Sequence, residues 1–171
     1  RDTDRSRGLG DVYKRQGWFL DHKGKGATML MIGAILMFIC HMTFALVPLT
    51  PAIAFSAIIL LGLSFSLVPA ALWPSVPKLV DNRYMGSAYA TIFWIQNLGL
   101  MAFPMIIGWV LNKVNPGVGE AIKAGEHVSY NYTVPMLIFA SLGVLAFLLA
   151  FWLKLEDRKK HYGLELPNIK K

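Results

Sequence analysis

Four apolar runs, each long enough to cross a bilayer, constrain this chain more than any other feature. A hydrocarbon core of about 30 Å takes roughly 20 helical residues. Runs of that order fall at 27–47, at 52–73 with an extension as far as Val80, at 86–111 and at 133–153. None has Asp, Glu, Lys or Arg in its core, and His41 is the only histidine inside a run. Lipid offers the backbone no hydrogen bonds, so runs of this length must be helices, and they are too long for barrel strands. The expected fold class is all-α, a set of polytopic transmembrane helices.

Composition excludes several other classes. Of the 171 residues 55% are hydrophobic and 16% charged, a balance more apolar than that of a soluble domain. The single cysteine, Cys40, rules out an internal disulfide framework and a Cys-based zinc cluster. Inside an apolar run, it reads as a small buried hydrophobe. The formal charge of +7 does not imply nucleic acid, because the cations stand outside the runs without aromatic interleaving. No nucleophile–base pair, phosphate loop or cofactor motif stands out, and no cofactor is expected.

The cations instead sort by side. Lys23 and Lys25 precede the first run, Lys78 and Arg83 separate the second from the third, and Lys154, Arg158, Lys159, Lys160, Lys170 and Lys171 follow the fourth. The opposite side has the uncharged turn Pro48–Pro51 and a loop at about 112–132 holding only Lys113 and Lys123. Ten against two places both ends in the cytoplasm, with 154–171 a basic cytoplasmic tail. The expected host is a bacterial inner (cell) membrane. Asn131-Tyr132-Thr133 is a glycosylation sequon in form, set beside a span where it is expected to stay unused.

Residues 1–16, RDTDRSRGLGDVYKRQ, are polar and mixed in charge, with neither a span nor the apolar centre of a signal peptide. The string GLGDVYKRQ resembles translated library-adapter sequence, so this leader is read as non-native and the natural N-terminus as missing. Residues 17–26 then read Gly17-Trp18-Phe19-Leu20-Asp21-His22-Lys23-Gly24-Lys25-Gly26. This loop resembles G-x-x-x-D-R/K-x-G-R/K-R/K, the cytoplasmic signature of the major facilitator superfamily, with departures at His22 and Gly26. Gly17 permits close packing, Gly24 a tight turn, Asp21 a helix cap or ion pair, and Lys25 a contact with the anionic leaflet. Together Gly17, Asp21, Gly24 and Lys25 form a candidate charge latch.

Within that resemblance, four spans and a basic tail correspond to helices nine to twelve of a twelve-helix facilitator, part of its C-terminal six-helix half. The implied partners are a small-molecule substrate, the bilayer and the missing N-terminal helices of the same protein. The strings Leu72-Trp73-Pro74, Gly86-Ser87-Ala88-Tyr89 and Ile95-Gln96-Asn97-Leu98-Gly99-Leu100 are similar to a branch of the superfamily that includes a lysosomal dipeptide transporter. The resemblance implies dipeptides or amino-acid-like cargo moved by alternating access. Two other readings stand beside it: a membrane enzyme using His41 or the Asp21–His22 pair, and a non-transporting membrane interaction protein.

The residues themselves nominate a site. Gln96 and Asn97 stand about eleven residues into the third run, roughly 16 Å at the helical rise and near the bilayer midplane. Amides there must face protein or a watery cavity. Tyr89, Phe93 and Gln96 share one face, which either borders a substrate path or supplies interhelical hydrogen bonds. Trp73 is either a gate or wall residue or an interfacial anchor. Pro69, Pro74 and Pro77 are expected to kink or break the second helix and are gate or hinge candidates. Gly62, Ser66 and Ala70 make a small-residue stripe expected to pack a neighbour. His41 is expected to be structural. No carboxylate lies in any span, so a proton carrier would have to lie in the missing half or among the loops.

Overall fold

A computed structural model describes residues 24–167. Their regular structure is helical: α1 (Gly26–Leu46), α2 (Pro51–Leu79), a short 3-10 turn (Asn82–Tyr84), α3 (Met85–Val114), α4 (Val118–Lys123) and α5 (Thr133–Lys160). By length and hydropathy α1, α2, α5 and α3 with its preceding turn can each cross a membrane. The chain is a multi-pass membrane protein with an all-helical fold.

Local chemistry accounts for the joints. The Thr50 hydroxyl accepts from the Ile53 amide at 3.4 Å, and Pro51 occupies the first position of α2, where its missing N–H costs nothing. At the other end, α2 runs unbroken through Pro69, Pro74 and Pro77 to Leu79. Of the kink or break expected from those prolines, the break is absent. Pro77 cannot donate to the carbonyl four residues back, that of Trp73. A hydroxyl from α3 takes the vacant place: Tyr89 Oη donates to Trp73 O at 3.3 Å. Membrane helices tolerate internal proline where a neighbour re-satisfies the freed backbone in this way.

Helix α1 is the centre of the packing, with α2 on one side and α5 on the other. Along the α1–α2 seam the Ser64 hydroxyl donates to the Gly33 carbonyl at 2.7 Å, and Cys40 Sγ donates to Ala57 O at 3.2 Å. Cys40 is fully buried there, and farther along the same seam Met29 and Ala71 form a small core flanked by Leu30 and Leu67. Along the α1–α5 seam Gly143 faces the main chain of Phe38; a Cβ built on it would lie 3.2 Å from Phe38 Cα. His41 stands by Phe139, ring centroids 5.4 Å apart.

The seam of α2 differs from the expected stripe. Its buried residues include Ala57, Ser64 and Ala71, seven apart, and then Ser75. Seven-residue spacing is what a partner lying nearly alongside selects. Gly62 has no atom within 4 Å of a built Cβ. Small residues on a membrane helix mark only faces that can pack, and the geometry of α1 decides which one does.

Helix α3 is tied differently, for none of its residues is buried. One end meets α2 at Trp73 and Tyr89. The other is fastened by a reciprocal amide pair: the Asn131 amide donates to Asn115 Oδ1 at 2.7 Å, and Asn115 Nδ2 donates to Asn131 O at 3.1 Å. Asn131 Oδ1 also accepts from the Thr133 amide at 2.9 Å, starting α5.

Candidate functional site

Of the nominated residues, the fold brings three together. Trp73 on α2 stacks on Phe93 of α3, centroids 5.0 Å apart and planes 30° apart, and leans on Tyr89 at 5.8 Å. Tyr89 and Phe93 are four apart and so share one helix face. The cluster lies near one end of the bundle: Trp73 is six residues from the end of α2, about 9 Å at the helical rise. Three aromatic surfaces and one hydroxyl make a platform that could stack on a flat or apolar group. They also join α2 to α3.

Sequence reading nominated Tyr89 for its face and Pro77 for its missing donor, but did not link them. The link follows from counting four residues back from Pro77 and needs only knowledge that α3 returns alongside. Tyr89→Phe is expected to leave the Trp73 carbonyl without that donor and to cost about 1 kcal/mol. Thermal unfolding in detergent, with Phe93→Leu as a comparison that keeps the hydroxyl, checks this.

Gln96 continues the same face deeper along α3. It opens onto an apolar groove lined by Gly99, Leu100, Phe103 and Pro104 of α3 and by Phe139 and Leu142 of α5. The groove residues from α5 could not be assigned from sequence, since nothing in α5 marks one face from another. Asn97 turns back on its own helix, Nδ2 donating to Phe93 O at 2.8 Å. Neither amide bridges to a second helix among the described residues.

The remaining candidates separate. His41 Nδ1 lies 2.8 Å from Met37 O, one turn back on its own helix. Gly17, Asp21 and His22 lie outside the described residues. Gly24 and Lys25 are described, with left-handed φ of 69° and 67°. The basic residues Lys25, Lys78 and Lys154 converge on one end of the bundle, where all three meet residues 163–166. Among the described residues no group of three or more His, Cys, Asp or Glu could hold a metal.

No family model matches the chain. No solved structure matches it. Curated proteins do. Lysosomal dipeptide transporter MFSD1 of Danio rerio is 36% identical over 96 residues, which is 56% of this chain and 20% of that protein. Its Homo sapiens counterpart is 36% identical over 97 residues, 57% of this chain and 20% of its own length. The Mus musculus protein is 34% identical over 97 residues, with the same shares. The chain thus spans about a fifth of the length of these relatives. Their names are lysosomal, and the bacterial cell membrane expected from sequence finds no support in them. Over more than half of its residues, this chain is similar to proteins named lysosomal dipeptide transporter MFSD1, members of the major facilitator superfamily.

Proposed function

We propose that this chain contributes four helices to a longer secondary transporter that moves a small solute, a dipeptide or amino-acid-like molecule, across a membrane by alternating access. The observation that carries this reading is the similarity to proteins named dipeptide transporters, found on a chain with four membrane-length helices. The other helices come from the N-terminal part of the same protein. Carriers of this kind hold substrate near the midplane between two opposed bundles. Four helices cannot form both, so the isolated chain is inactive in uptake.

In this reading the basic end of the bundle faces the cytoplasm, with Lys25, Lys78, Arg83 and the tail at the anionic leaflet. The Gly17–Lys25 loop serves as the latch there. Trp73, Tyr89 and Phe93 form the cytoplasmic approach to the substrate path, and Pro69, Pro74 and Pro77 set the course of α2 beside it. Gln96 supplies a polar contact at depth, and Asn97 stiffens the helix behind it. An exposed amide without a partner in the described residues is costly in lipid, which supports a watery cavity or another helix opposite Gln96.

The test is uptake of labelled dipeptides by the complete protein in proteoliposomes, against free amino acids as competitors. Gln96→Leu is expected to lower uptake at least fivefold with the inserted amount unchanged. Unaltered kinetics would assign Gln96 to packing. Failure of every dipeptide and amino acid to move would overturn the cargo assignment.

A further inference from the structure

Helix α1 starts without a cap of its own. Its N-cap residue, Lys25, offers no side-chain acceptor, yet the first amides of any helix need one. The acceptors come from the far end of the chain. Gly26 N donates to Leu164 O at 3.0 Å, Lys25 N to Glu165 O at 3.1 Å, and Thr28 N to Glu165 Oε1 at 2.9 Å. The Thr28 hydroxyl donates to Glu165 Oε2 at 2.8 Å. A carboxylate is well placed there, because the start of a helix carries partial positive charge.

The same four residues, Gly163–Leu166, are held from two other helices. Lys78, at the end of α2, donates through Nζ to Gly163 O at 3.1 Å and to Leu166 O at 2.8 Å. From α5, Asp157 Oδ1 accepts from Leu164 N at 2.9 Å, and Lys154 Nζ lies 3.9 Å from Glu165 Oε2 while donating to Thr28 Oγ1 of α1 at 2.6 Å. Leu164 is 1% exposed and Asp157 6%. A side chain at Gly24 would run into the Leu166 main chain, so the glycine admits the tail as well as the turn. Helix α3 takes no part in these bonds.

We propose that Gly163–Leu166 is a strap that closes over the bundle end and fastens α1, α2 and α5 into one unit, leaving α3 outside it. The strap caps α1 with Glu165, is pinned by Lys78 and Asp157, and is plugged into the bundle by Leu164. Protection of the first turn of α1 therefore depends on residues of α2 and α5 that do not touch its backbone.

Hydrogen–deuterium exchange on the 171-residue chain in lipid nanodiscs tests this. Glu165→Ala is expected to speed exchange at residues 26–28 by about tenfold, the scale of a lost helix cap. Lys78→Met, which leaves every α1 contact of Glu165 in place, is expected to speed the same amides severalfold. Peptides covering 85–114 are expected to keep their wild-type rates in both variants. Unchanged exchange at 26–28 in Lys78→Met would overturn the strap, as would an equal rise throughout 85–114. Circular dichroism at wild-type helicity excludes general unfolding of either variant.

Discussion

Gly143→Leu is expected to destabilise the chain by about 3 kcal/mol, while Gly62→Leu changes stability by no more than about 0.5 kcal/mol. The two substitutions add the same side chain to the same kind of helix. They differ in what stands opposite. At Gly143 a Cβ alone would press within 3.2 Å of the backbone nitrogen and Cα of Phe38, atoms that a rotamer change cannot remove. Seating an isobutyl group means separating α1 from α5, and α1 is the helix on which the bundle is assembled. Close approach of backbones is what drives helix association in lipid, where burying apolar surface gains little. At Gly62 nothing lies within 4 Å. Unfolding of both variants of the 171-residue chain, titrated with denaturing detergent and followed by tryptophan fluorescence, checks the contrast. Equal losses would mean that the α1–α5 seam is looser than its geometry states.

That contrast marks how far the sequence was legible. The spanning helices could be read because lipid imposes a length and a polarity that few other structures share. The faces could not, for the same reason. A helix surrounded by hydrocarbon is apolar all round, so the periodicity that orients a soluble helix is missing. The Gly62, Ser66 and Ala70 stripe was a sound reading of residue size, but Ala57, Ser64 and Ala71 took the seam because α1 runs along them. Proline carried a similar ambiguity: Pro77 removes a donor in any fold, and only the return of α3 supplies Tyr89 to replace it. The strap was the least legible part. Glu165 lies in a short stretch after α5 that composition marks only as a basic tail, and its partner Thr28 is 137 positions away.

The larger functional effect is expected at Trp73. Its ring meets those of both Tyr89 and Phe93, and its carbonyl is also the acceptor for Tyr89. Each aromatic contact contributes about 0.5–1.5 kcal/mol beyond the area it covers. Since α3 buries no residue of its own, it meets α2 at this end through exposed and half-buried side chains, this cluster among them. On the transport function proposed above, Trp73→Ala in the complete protein is expected to reduce the maximal uptake rate at least tenfold with a smaller change in KM, because a joint between elements that move in turnover governs rate more than occupancy. Trp73→Phe, which keeps a ring for Phe93 to stack on, should recover most of the rate. A raised KM with the maximal rate intact would instead make Trp73 a wall of the substrate site, and the joint would then rest on the Tyr89 hydroxyl. Wild-type uptake in Trp73→Ala would leave the indole as an interfacial anchor, a role that any tryptophan at this depth can fill.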